Sequence, residues 1–416
     1  MNLKSNKAIT LVALIITIII LLILAGVSLS MVLGENGLIN KAQSSVDKYK
    51  ESSENEQVFL NNVEEYIKYK WQAPGTKVDL LDGWNKDTVD AVLDDKKNII
   101  PVPKNFYYVG GNLDNGVIIS DDPADAYDGT TDKTTWEYTT SLVGNQFVWI
   151  PCTEEEYHKT DWGSSYVEGG YDKTGPNQAE INKVKKYNGF YVARYEAGLA
   201  DTITEYKGNQ INNATNSPGY NVDGVPKSKA GELPWNFISQ IKSKKNAESM
   251  YSNNEYVTSG LITGTQWDVM LNKFIGTKNQ NNLTITLEEI TNSFNWGNHF
   301  NNNIIYTGRS AEMIERDKQY VSQWRVKQEN QTTGVNKYTE YSTGASKKTE
   351  VYHTYDVAGN LWEWTEETGS NSNYTVLRGG SCHHNTNPFT SCSRLASNTS
   401  TSVYYNNGFR VVLYMK

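Results

Sequence analysis

The sequence predicts an α+β chain in three parts: a membrane helix, a helical stalk, and a loop-rich domain of short strands. Three observations carry this. Residues 8–34 form one apolar run without a charged side chain. Residues 38–71 repeat apolar side chains at helical spacing. From Gly144 onward, short aromatic segments of strand character alternate with long polar loops, and one helical stretch lies near Thr265–Leu271.

A length of 416 residues implies two or three folding units. The 11 Trp and 27 Tyr are far more than a disordered chain of this polarity carries. A net charge of -8 argues against a nucleic-acid partner, because no basic face is required. The 3 cysteines, Cys152, Cys382 and Cys392, are too few for a disulfide scaffold and lack zinc spacing. At most one disulfide is expected, with Cys382 and Cys392 as the pair.

Lys4 and Lys7 precede the apolar run and Glu35 follows it, which places the amino terminus in the cytoplasm and the rest of the chain outside. As a helix the run would reach about 40 Å, enough to cross a bilayer with some tilt. A secretory signal peptide is the rival, but its apolar core is usually shorter. The stretch Lys7-Ala8-Ile9-Thr10-Leu11-Val12-Ala13-Leu14 resembles the amino terminus of type IV prepilin-like proteins, particularly those of Gram-positive anaerobes. That resemblance implies peptidase processing between Ala8 and Ile9. Ala8 stands where Gly is usual and Ala13 where pilins carry Glu, so a minor pilin or a simple anchor fits better than a major fibre subunit.

Val46, Tyr49, Phe59, Val63, Tyr66 and Ile67 give 35–72 its amphipathic pattern, which Ala73-Pro74-Gly75 ends. Residues 73–144 read as a linker or small β-rich region, with strands at Phe106–Val109 and Gly116–Ile119. Asp121, Asp122, Asp125 and Asp128 lack the spacing of a calcium loop and read as a polar connection.

In the remainder, 145–416, an ordered series stands out. Phe147-Val148-Trp149-Ile150-Pro151 comes first, then Phe190-Tyr191-Val192-Ala193-Arg194-Tyr195-Glu196 and Thr265-Gln266-Trp267. Tyr355-Asp356-Val357-Ala358-Gly359-Asn360-Leu361-Trp362-Glu363-Trp364, Leu377-Arg378-Gly379-Gly380-Ser381 and Gly408-Phe409-Arg410 complete it. Together they resemble the formylglycine-generating enzyme (sulfatase-modifying factor) family, which implies an elaborated C-type-lectin-like fold. Members that make formylglycine hold copper through two cysteines five apart, shortly after the Gly-Gly-Ser segment. Here Cys382 follows Ser381 directly and Cys392 comes ten positions later. The redox pair is unmatched, and an oxidase is the least favoured function.

The resemblance also implies a structural calcium ion held by Asp356, Gly359, Leu361 and Glu363, oxygen donors suited to that ion. The rival is that Trp362 and Trp364 fill the core while Glu363 pairs with an arginine such as Arg378 or Arg410. Adjacent His383 and His384 point to opposite faces of a strand, which favours contact residues over a shared metal.

Between Ser381 and Gly408 the chain is mostly Asn, Thr, Ser, Tyr and His, residue types of adaptable binding surfaces. The expected contact residues are His383, His384, Asn385, Asn387, Phe389, Thr390, Ser393, Asn398, Ser400, Tyr404, Tyr405 and Asn406. A polar loop with no partner is the alternative. This segment resembles the variable proteins of diversity-generating retroelements, in which adenine-directed mutagenesis of Asn codons diversifies a carboxy-terminal stretch between fixed brackets. Asn-rich runs at Asn279–Asn282 and Asn298–Asn303 show that composition bias can imitate that pattern. The expectation is a ligand-binding protein at the cell surface of a Gram-positive-like bacterium, membrane-anchored, contacting a protein or glycan. The alternative is a minor pilin assembling with pilus subunits.

Overall fold

The structure is a computed structural model describing residues 14–24, 45, 46, 48, 50, 68–163, 166–202, 221–316, 319–324 and 328–416. The chain divides into two units, Met1–Gln72 and Ala73–Lys416.

In the first unit, residues 14–24 are helical and their apolar side chains are exposed. Among the described residues no helix is long and apolar enough to cross a membrane. The remainder of the expected span, most of the stalk and the cleavage pair Ala8 and Ile9 lie outside the described residues.

The second unit is built on a six-stranded antiparallel sheet. Its strands are β1 (Tyr107–Asn112), β2 (Gly116–Ser120), β3 (Gln146–Pro151), β4 (Gly189–Ala193), β5 (Val257–Leu261) and, last in the chain, Val411–Met415. In spatial order the Val411–Met415 strand lies between β4 and β5. Val117, Ile119, Phe147, Trp149, Tyr191, Val411 and Leu413 pack on one face. Ile118, Val148, Ile150, Phe190, Val192 and Val412 pack on the other. Both faces of a period-2 strand are therefore buried, which is why these segments read as continuous apolar runs.

The expected boundary at 144/145 falls inside this sheet, because β2 pairs with β3 from Val117–Trp149 to Ser120–Gln146. Residues 73–144 are part of the domain, to which they add a three-stranded meander, Lys77–Val78, Val89–Leu93 and Ile99–Pro103. The acidic stretch is bonded internally. Asp125 accepts from the amides of Val143 and Gly144 at 2.9 and 2.8 Å, and the Lys133 ammonium donates to the Ala126 carbonyl at 2.6 Å.

A second sheet carries the carboxy-terminal motifs on β6 (Trp362–Thr368), β7 (Tyr374–Arg378), β8 (Arg394–Thr399) and β9 (Asn407–Phe409). Its order is β9-β6-β7-β8, with Val167–Glu168 on the outer edge. Helix α1 (Gln178–Lys185) and helix α2 (Gln240–Ser249) flank the sheets. Helix α3 (Gly264–Phe274) opens on a capping box in which Thr263 and Gln266 satisfy each other's backbone amides. The helix expected near Thr265–Leu271 is α3.

Candidate ligand-binding surface

The segment between Ser381 and Asn406 is held from below by buried polar groups. Gly380 sits at φ +75°, and a Cβ there would lie 2.6 Å from the Phe389 carbonyl oxygen and 2.8 Å from His299 Cε1. Only glycine allows the chain to pass so close to the buried His299. One residue on, the Ser381 hydroxyl contacts His384 Nδ1 at 3.0 Å and accepts from the His383 amide at 3.3 Å and Asn406 Nδ2 at 3.4 Å.

Above this base the aromatic rings form a connected cluster. His383 stacks on Tyr338 with centroids 4.4 Å apart and meets the edge of Tyr405 at 4.6 Å. Tyr338 in turn stacks on Phe300 at 4.5 Å, while Tyr405 packs against Phe237 at 6.4 Å. His384 meets Phe389 at 4.8 Å and Trp362 at 5.7 Å. The Trp362 indole donates to His384 Nδ1 at 3.1 Å, which assigns the imidazole proton to Nε2. Burial pushes His384 down to about 4 and His383 to about 3, so both rings are neutral at physiological pH.

Backbone bonds lock the contributing loops together. Phe300 N donates to the His384 carbonyl at 3.0 Å, Asn336 N to the Phe300 carbonyl at 2.7 Å, and Phe237 N to the Tyr404 carbonyl at 3.0 Å. Thr386 N donates to the Asn301 side chain at 3.0 Å.

The expected contact residues separate into two groups. Asn385, Asn387 and Tyr404 are exposed, and His383, His384, Phe389 and Tyr405 are half-buried in the ring cluster. Thr390, Ser393 and Asn406 are buried and are corrected to framework: Thr390 N donates to Ser393 Oγ at 2.7 Å, and Ser393 Oγ donates to the Pro388 carbonyl at 2.7 Å. Asn398 lies on β8 opposite Thr375, and the Ser400 carbonyl accepts from Ile241 N at 3.1 Å; both residues are half-buried. Phe300, Tyr338 and Phe237 escaped the sequence reading because they come from loops distant in the chain. Phe300 does lie within the Asn-rich run Asn298–Asn303, and that was the available signal; nothing local marked Tyr338 or Phe237.

The two carboxylates of the calcium set expected from the resemblance are already engaged by protein donors. Both Glu363 carboxylate oxygens are taken by Arg410, at 3.0 and 2.5 Å. Those of Asp356 accept from the Thr349 hydroxyl at 2.7 Å and the Gly344 amide at 2.9 Å. Gly359 N donates to the Gly379 carbonyl at 2.8 Å and Leu361 N to Glu196 at 3.1 Å, bonds that fix the turn without using the Gly359 and Leu361 carbonyls. Burial raises the carboxyls of Glu196, Asp356 and Glu363, and Arg410 is the cation that opposes it. Among the described residues no group of three or more His, Cys, Asp or Glu side chains is placed to hold a metal.

The expected Cys382–Cys392 disulfide is absent, since all three cysteines are free and buried. The Cys392 thiol contacts Thr390 Oγ1 at 3.1 Å, whereas Cys382 is buried near Glu340 and Glu196. Burial pushes Cys392 up to about 11 and Cys382 well above the usual thiol range. With no metal beside them, both thiols are held in the protonated form by burial.

A family model for the sulfatase-modifying factor enzyme 1-like domain matches residues 165–415. Among solved structures the chain is similar to Treponema denticola variable protein 1, at 13% identity over 66% of this chain and 97% of that one, with a TM-score of 0.33. No curated protein matches.

Proposed function

Because the chain belongs to the family of proteins carrying a sulfatase-modifying factor enzyme 1-like domain, we propose that it uses that domain to bind a ligand and not to oxidise a cysteine. The observation that carries the reading is the ring cluster of Phe300, Tyr338, His383 and Tyr405, half-exposed and rimmed by Asn385, Asn387 and Tyr404. Rigid aromatic area with small amides around it binds a protein or glycan surface at low entropic cost. The spacing of Cys382 and Cys392, ten positions apart where the copper-holding pair is five apart, supports a non-oxidative role.

The setting belongs to the same proposal. The exposed apolar helix at 14–24 supports an anchor that holds the domain at the cell surface. The division between a buried base and exposed Asn and Tyr supports diversification of the 381–406 segment by a retroelement.

The test is affinity capture from surface extracts of neighbouring cells, comparing the native chain with a Tyr338→Ala, Tyr404→Ala, Tyr405→Ala variant whose near-ultraviolet dichroism confirms folding. Loss of a captured species is expected, and equal capture by both would remove this surface as the site. Diversification predicts a near-repeat of codons 378–410 beside a reverse-transcriptase gene, differing mainly at adenines.

A further inference from the structure

A cavity of about 590 Å³ opens elsewhere in the domain, lined by Trp136, Glu137, Arg309, Glu329, Asn330 and Ser342 among others. None of its lining residues belongs to the aromatic surface described above. Its size falls in the range that holds small ligands, roughly 300–1,000 Å³.

The walls are fixed by bonds that do not depend on an occupant. The Trp136 indole donates to the Gly344 carbonyl at 3.1 Å, and its backbone amide donates to Gln280 at 2.6 Å. Arg309 donates to the Gly231 carbonyl at 2.8 Å, and Thr307 N donates to the Ala345 carbonyl at 2.8 Å. The strand pair Ile305–Gly308 and Gln328–Thr332 changes register between Tyr306 and Gly308, which bends the ladder at the cavity's edge. On the floor, Ser342 is 1% exposed and its hydroxyl has no hydrogen-bond partner among the described residues. A buried hydroxyl left unpaired costs about 1–3 kcal/mol, so a native site that keeps one calls for an explanation.

The chemistry of the lining narrows the occupant. Two carboxylates, Glu137 and Glu329, stand against one guanidinium, Arg309, a balance that disfavours a phosphate, sulfate or carboxylate. The same set offers acceptors from the carboxylates, donors from Arg309, and both from Asn330 and the hydroxyls. Trp136 adds a flat apolar face. A ligand that donates and accepts at neighbouring positions around a ring with an apolar face matches all of these. We propose that this cavity binds a neutral saccharide of one or two rings, independently of the aromatic surface.

Saturation-transfer NMR of the full chain tests this against neutral hexoses, N-acetylhexosamines and their disaccharides, with glucuronic acid and N-acetylneuraminic acid as anionic probes. At least one neutral sugar should bind. Glu329→Gln, at an exposed position that should fold normally, and Arg309→Gln should each weaken it about tenfold, the equivalent of one hydrogen bond. Trp136→Phe should retain most of the binding, and Asn385→Ala with Tyr404→Ala should leave it unchanged. Binding by none of the neutral sugars, binding only of the acids, or binding indifferent to both Glu329→Gln and Arg309→Gln would each overturn the assignment.

Discussion

Glu340 is completely buried, and among the described residues its carboxylate meets only Asn236 Nδ2, at 3.3 Å from each oxygen, while Asn236 Oδ1 has no partner there. Turning the Asn236 amide over would let a protonated Glu340 donate to Oδ1. Burial pushes this carboxyl well above its usual value of 4.5, with little to oppose it. In the unfolded chain the proton leaves near 4.5, so above that pH the folded state binds more protons than the unfolded one. The stability contributed is therefore full below 4.5 and is lost as pH rises through the folded value. Glu340→Gln, which keeps a neutral donor in place, should stabilise the domain by roughly 1–3 kcal/mol at mildly alkaline pH. The gain should vanish in acid, as read by urea unfolding across pH. The imidazoles of His299, His383 and His384 act in the opposite sense. Burial holds them at about 3, 3 and 4, so their contribution is present above 6.5 and is lost as pH falls toward those values.

Four elements are joined by a closed ring of buried charges. Asp268 on α3 pairs with Arg378 at the end of β7, at 2.6 Å, and with Arg394 at the start of β8; Glu367 on β6 meets the same two arginines at 3.2 and 3.0 Å. All four side chains are at most 1% exposed. Replacing one member leaves an uncompensated buried charge, so Asp268→Asn should cost roughly 3–5 kcal/mol in urea unfolding. Lys159, 3.6 Å from Glu367 and 15% exposed, lies at the edge of the ring, so Lys159→Ala should cost less than Asp268→Asn. Much at this scale was legible in the sequence. Gln146–Pro151 and α3 were read from pattern, because a fully buried strand and a capped helix leave local signals. The Arg378-Gly379-Gly380-Ser381 motif was likewise visible. Its partner Asp268 was not, since it lies 110 residues earlier in the chain and nothing local marks a charge for burial. The choice between calcium and Arg410 at Glu363 was open for the same reason, and the pairing of Trp362–Trp364 with β9 brings Arg410 alongside.

Across the whole molecule the sequence misplaced the amino-terminal edge of the domain. Polar composition made 73–144 look like a connector, although most of its apolar residues are buried and only a few, such as Leu81, Tyr138 and Val143, are exposed. Val109, Val117, Ile118 and Ile119 are fully buried, and the Tyr191 hydroxyl on β4 donates to the Pro101 carbonyl at 2.8 Å. Without this segment β3 becomes an edge strand, and Phe147, Val148, Trp149 and Ile150 lose the neighbours that keep them from water. At about 1.5–3 kcal/mol for each large apolar side chain, partial exposure of those four is comparable to the roughly 5–15 kcal/mol by which a whole domain is stable. A chain beginning at Ala73 should therefore unfold cooperatively, with near-ultraviolet dichroism and dispersed NMR signals. One beginning at Asn145, where composition alone would place the boundary, should aggregate or bind hydrophobic dye. Equal folding of both would mean that β1 and β2 are an accessory to the domain and that its sheet closes without them.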